Sequence, residues 1–216
     1  VGRHGKMVEP AFFGKQGPER KAEPIRQDGM FLLASITKPV VYMSALRLVE
    51  RGQLVLSNPV THYIPDFAAH HKESILVHHL FTHTSGITYG FLMQDEPDAI
   101  YRKHKIGVPT ETLLEMSQRI AKLPLAFSPG TRWGYGHSID VLGAIVEIVA
   151  GQPLDEFFRE RIFGPLGMND TDFWVPEDKI DRLMACYNKH PITGEITMSD
   201  AAGKDSKLYA KRPHLL

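Results

Sequence analysis

The spacing of apolar residues in the middle of the chain limits its possible folds more than any other feature. Val41, Ala45, Leu48 and Val49 recur at helical intervals between Ser35 and about Arg51, and Gly52 is placed to end the run. Between about Ile139 and Ala150, Val141, Leu142, Ile145 and Ile148 or Val149 share a second face, which Gly151 closes. "SILVHHLFTHTSG" (74–86) reads as a short helix stopped at Gly86. "PTETLLEMSQRIAKLPL" (109–125) reads as a longer one, with Thr112 and Glu115 at capping-box spacing, and "LDEFFRERIF" (154–163) as another. Strand signals are confined to the ends. Residues 1–14 suggest a hairpin turned at His4-Gly5, followed by a polar loop through Gly29, and the tail from about Pro176 is mixed. A lone two-stranded hairpin is marginally stable in water, so the opening strands need sheet partners, for which the chain offers few candidates.

The 216 residues, 43% hydrophobic and 23% charged, are enough to bury a core in one domain with room for a subdomain. Lys plus Arg and Asp plus Glu both number 25, so no excess positive field favours nucleic acid. No apolar run approaches the roughly 20 residues that cross a bilayer. The one cysteine, Cys186, cannot close an internal disulfide and reads as a small buried hydrophobe, which fits a reducing compartment; the expected location is cytoplasmic. The chain opens without methionine and is expected to be a piece of a longer one.

"FLLASITKPVVYM" (31–43) carries the chemical signal. Ser35 and Lys38 are three residues apart, so on a helix their Oγ and Nζ come within hydrogen-bond reach. Serine needs a base to become a nucleophile, and lysine serves near neutrality only if burial or a nearby cation lowers its pKa. The flanking "FLLA" and "PVVYM" are expected to supply that burial. Pro39 suits a first helical turn and places Ser35 at the helix N-terminus, where its own backbone N–H could meet an oxyanion. In "FSPGTRWGYGHSIDVLGAIVEIVAG" (127–151) a loop brings Tyr135 to the start of a helix, and a tyrosine beside an ammonium can act as general base.

Together "FLLASITKPV", "LVERGQLVLSNPVTHYIPDF", "LFTHTSGI", the Tyr135 segment and "RIFGPLGMNDTDF" resemble the serine β-lactamase and penicillin-binding-protein superfamily, nearest its class C-like esterases, the family VIII carboxylesterases. The resemblance implies an α/β (α+β) fold of β-lactamase/DD-peptidase type, with an antiparallel sheet flanked by helices plus a helical subdomain. On this reading, 1–216 is a single domain incomplete at both ends, with a sheet hairpin and loop over 1–30 and a mainly helical region carrying the motifs over 31–175. It implies Ser35 as nucleophile, Lys38 as its activating partner and Tyr135 as general base, then acid. It implies no metal or organic cofactor, and a small-molecule ester or amide as substrate; oligomeric state is left open.

His137 stands where the family usually has the Asn of Tyr-x-Asn. It is therefore the candidate substrate-binding residue, and the departure favours short-chain esters over β-lactams or peptides. The family's Lys-Thr-Gly or His-x-Gly strand is expected beyond the last residue; "ITGE" (192–195) lacks the basic residue, and "HTSG" (83–86) is read as structural. Losing that strand's oxyanion donor would cost roughly 3 kcal/mol. Three other readings compete. "GHSID" half resembles the G-x-S-x-G elbow, which would make Ser138 the nucleophile, but position 140 is Asp and no buried strand precedes it. His62, His70, His71, His78, His79 and His83 could suggest zinc, but H-E-x-x-H is absent. The last reading is a non-catalytic relative kept as a binding or scaffold module.

Overall fold

The computed structural model describes residues 2–68, 72–90, 96–107 and 111–207. The described residues divide into two compact units, one of those in 2–33 and 172–207, the other of those in 34–171. Described residues belong to the α+β class, with helices in the second unit and antiparallel strands in the first.

The helical unit is organised around α5, Ser138–Ala150, against which α1 (Thr37–Glu50), α2 (Val77–Phe81) and α4 (Leu113–Ala121) pack. The apolar face expected of α5 is buried: Val141, Leu142, Ala144, Ile145 and Val146 have no exposed surface. Ile148 lies on the outer face, 40% exposed, and Gly151 ends the helix in the left-handed conformation. Val41, Ala45 and Leu48 of α1 are buried as their spacing requires. At its end Gly52 takes φ 69°, and the Gln53 N–H returns to the Leu48 carbonyl. The Thr112 side chain accepts from the Glu115 N–H while Glu115 accepts from the Thr112 N–H, so the expected capping box forms at α4.

Four local expectations change. α2 stops at Phe81 rather than continuing to Gly86. Gly86 serves close approach instead, since a Cβ there would sit 2.3 Å from the Phe127 carbonyl oxygen. "LDEFFRERIF" is not one helix: α6 covers Leu154–Phe158, a π-helical turn follows over Arg159–Phe163, and α7, Gly164–Leu166, completes the segment. "PTETLLEMSQRIAKLPL" forms helix only over α4, its first two residues lying outside the described ones. An unexpected helix, α3, covers Glu96–Lys103.

In the other unit, β1 (Gly2–Arg3) and β2 (Lys6–Met7) pair antiparallel about His4 and Gly5, both at positive φ, as a tight hairpin turn requires. Near the C-terminal end, β3 (Cys186–Lys189) pairs antiparallel with β4 (Ile196–Asp200), with an irregularity between Cys186 and Tyr187. "ITGE" falls in the turn joining them. Arg26 and Arg182 both pair with Asp28, tying the loop before β3 to the segment that follows β2.

Candidate active site

Ser35 sits in a 3₁₀ turn, Ala34–Ile36, that leads directly into α1. Its backbone N–H therefore lies at a helix start, where such groups lack an intrahelical acceptor. Ala34 before it takes φ 46°, a conformation uncommon for a side-chain-bearing residue and one often stored at functional sites. One turn later the Lys38 ammonium donates to Ser35 Oγ at 3.0 Å. Ser35 Oγ and Tyr135 Oη share a hydrogen bond of 2.7 Å across 100 residues of sequence. Oγ thus accepts from the Lys38 ammonium while sharing a hydrogen with the phenol oxygen, either of the two being able to donate. The three side chains meet within the helical unit.

Burial at the triad differs from the expectation drawn from its neighbours. Phe31, Leu32 and Leu33 are 53%, 44% and 39% exposed, and Ala34 and Pro39 are also exposed, so the flanking residues are not themselves buried. Lys38 is half-buried, with its ammonium 4.9 Å from the Tyr135 ring centre and 5.9 Å from that of Tyr89. Aromatic faces, rather than the flanking apolar residues, form its described surroundings.

Burial opposes ionisation of Tyr135. Hydrogen bonds from Lys38 and Ser35, the Lys38 charge and a hydrogen bond with Tyr89 outweigh it, so the phenol is held below its ordinary value of 10.0. Tyr89 and Tyr42 are pushed the other way. For Tyr89 burial acts first and the negative charge of Asp140 second; for Tyr42 burial is followed by the charge of Tyr135. Three neighbouring phenols therefore separate into one prone to ionise and two that stay protonated.

Gly136 explains why the tyrosine loop follows this path: a Cβ there would lie 2.0 Å from the Ile87 carbonyl oxygen, so only glycine lets the two backbones approach. The Gly130 N–H donates to the Thr84 carbonyl and the Gly134 N–H to the His83 carbonyl, both at 2.8 Å. His137, 7% exposed, caps α5; its Nδ1 meets Asp140 Oδ2 at 2.9 Å and its ring stands edge-on to Tyr89, 4.4 Å between centres.

The rival motifs have local explanations. Ser138 is fully buried at the first turn of α5 and bonded to Ser85 Oγ at 2.8 Å, so it is not displayed on an elbow. His79 accepts the Leu76 N–H, and His78 Nδ1 lies 3.4 Å from the Leu56 carbonyl. His70 and His71 lie outside the described residues. Among the described residues, no group of three or more His, Cys, Asp or Glu side chains is arranged to hold a metal ion, and no helix is long and apolar enough to cross a membrane.

Sequence reasoning passed over Tyr42 and Tyr89, and weighed His83 only as a zinc candidate and as part of a structural "HTSG". Tyr42 stacks on Phe81 and its hydroxyl lies 3.4 Å from His83 Nε2; the His83 ring lies 5.0 Å from that of Tyr135. The available signal was "HTSG" itself, whose histidine and glycine both take positive φ.

The helical scaffold thus brings a serine hydroxyl, an amine and a phenol into mutual hydrogen-bond reach. The family described as Beta-lactamase matches residues 1–206, and the chain belongs to that family. It is 40% identical over 181 residues to Esterase EstB of Burkholderia gladioli, covering 80% of this chain and 45% of EstB. It is 32% identical over 180 residues to the lovastatin esterase of Penicillium rubens, covering 75% of this chain and 44% of that enzyme. Among solved structures it is similar to "EstCE1, a hydrolase with promiscuous acyltransferase activity", with TM-score 0.72 and 30% identity, covering 87% of this chain and 50% of that one. The chain spans about half the length of these relatives.

Proposed function

We propose that this chain carries the acylation machinery of a serine hydrolase acting on short-chain carboxylic esters, with Ser35 as nucleophile, Tyr135 as general base and then acid, and Lys38 as the cation that lowers the phenol. The 2.7 Å contact between Ser35 Oγ and Tyr135 Oη carries this reading. In the first half-reaction Oγ attacks the ester carbonyl carbon as its proton passes to Tyr135 Oη. The oxyanion is met by the Ser35 backbone N–H; when the carbon–oxygen bond to the alcohol breaks, Tyr135 returns the proton to the departing alkoxide. Water repeats the sequence on the acyl-serine, giving up a proton to Tyr135 and leaving as part of the acid while Oγ regains its hydrogen. Lys38 donates to Oγ and its charge stabilises the phenolate.

His137 is proposed to form the substrate-side back wall by supporting Tyr89, its Nδ1 being committed to Asp140. Ester specificity is supported by the esterase names of EstB and the lovastatin esterase. The promiscuous acyltransferase activity ascribed to EstCE1 favours a second outcome of the same intermediate, acyl transfer to an alcohol in place of water. A fluorophosphonate probe followed by mass spectrometry tests the proposal: the adduct is expected on Ser35 and absent from Ser35→Ala. A protein that takes no label, as a scaffold would, refutes it.

A further inference from the structure

His83 combines three unfavourable features in one buried residue. Its φ of 55° lies in the left-handed region, uncommon for residues other than glycine, although asparagine, aspartate and histidine are enriched there. It is 7% exposed, and among the described residues its Nδ1 has no hydrogen-bond partner. Buried polar atoms are normally satisfied, and backbone strain of this kind gathers where surrounding structure holds a group for a task.

The surroundings of His83 point to one task. Its carbonyl holds the Gly134 N–H, adjacent to Tyr135, and its ring packs 5.0 Å from the Tyr135 ring and 6.1 Å from that of Trp133. From α1 the Tyr42 hydroxyl reaches Nε2 at 3.4 Å and fixes the rotation of the ring. We propose that His83 is a positioning residue: it holds the Tyr135 phenol against Ser35 Oγ through its ring face and its carbonyl, and Tyr42 locks it in place. The inference rests on the function proposed above for Ser35 and Tyr135, but concerns how the phenol is held.

The titratable and charged groups that act on the imidazole or face it are Lys38 and Tyr42 from the start of α1, Tyr135 from the loop and Asp140 from α5. Burial first, then the Lys38 charge, lower the imidazole below its ordinary value, with Asp140 opposing. The ring is thus neutral at neutral pH and adds no second cation that would compete with Lys38 for the phenolate.

The test is ultraviolet titration of Tyr135, isolated as the difference between each protein and its Tyr135→Phe counterpart, read beside the rate of fluorophosphonate labelling. His83→Asn suits the left-handed backbone and removes the ring. It is expected to raise the Tyr135 midpoint toward the free-phenol value, as the bonds from Lys38 and Ser35 loosen, and to slow labelling at least tenfold. His83→Phe restores the ring face and should recover most of both. Tyr42→Phe leaves the His83 backbone untouched and should move the midpoint in the same direction by less, which keeps the test intact if the Asn variant misfolds.

An unchanged midpoint in a folded His83→Asn, or in Tyr42→Phe, overturns the proposal, as does a Phe variant as impaired as the Asn one. Absence of any label on the parent protein would count against the hydrolase reading alone, because the titration reports on the phenol whether or not Ser35 reacts.

Discussion

The helical unit and the strand-bearing unit bury their residues to different depths. In the former, Ala45, Val60, Phe67, Ile75, Leu80, Ile120, Val141 and Leu142 are fully enclosed; in the latter the most enclosed apolar side chains are Leu183, Val175 and Met184, at 5–7% exposure. Ile192, Ile196 and Met198 of the β3–β4 hairpin are 90%, 49% and 60% exposed. The Ser35, Lys38 and Tyr135 side chains all belong to the deeply packed unit. A hydrogen bond of 2.7 Å between residues 100 apart in sequence needs a rigid frame, and that frame is present where the core is dense.

That contrast can be attacked at several strengths. Removing the nucleophile should have the largest effect: Ser35→Ala is expected to abolish p-nitrophenyl butyrate turnover with the circular dichroism spectrum unchanged, and turnover at the parent rate would break the assignment. Tyr135→Phe should slow turnover by about 10² to 10⁴-fold. It should also remove the alkaline rise in rate, because the reactive phenolate accumulates as pH climbs through a pKa held below 10.0.

Core truncation compares the two units directly. Phe67→Ala should cost about 3–5 kcal/mol in denaturant melts, whereas Met198→Ala should stay within about 0.5 kcal/mol. Equal losses would erase the difference in packing.

Lys72 offers a subtler probe. It is fully buried, its Nζ donates to the Ala121 carbonyl at the end of α4, and burial lowers its pKa to about 8. Between about pH 8 and the unfolded value near 10.4 the unfolded chain binds the proton and the native chain does not, so stability should rise with pH across that window. The rise is at most about 3 kcal/mol, and Lys72→Met should lack it. At the α4 cap, Thr112→Ala should cost about 1 kcal/mol.

Helix α5, the burial of α1 and the capping box of α4 were legible because each depends on residues within one or two turns of each other. The pairing of Ser35 with Lys38 was legible for the same reason. Tyr135 was named from its sequence context, but its approach to Ser35 depends on the Gly136–Ile87 contact, which no local pattern records. α3 escaped notice because "EPDAIYRK" is mostly polar and offers only the adjacent Ala99, Ile100 and Tyr101 where a longer apolar stripe would be needed. The π-helical turn at Arg159–Phe163 escaped because one extra residue in a turn leaves composition unaltered. His83 was weighed only for zinc and as part of a structural motif, because its place beside Tyr135 depends on a backbone angle and three ring neighbours, none of them adjacent in sequence.

The stitching between the segments at 83–88 and 126–138 has a practical corollary. Thr84, His83 and Gly86 accept backbone bonds from Gly130, Gly134 and Ala126, while Ser85 reaches Ser138. An engineer who transplants the tyrosine loop to a new scaffold must carry both strips as a single cassette, and a library that randomises one strip should find most of its functional members among those that also vary the other.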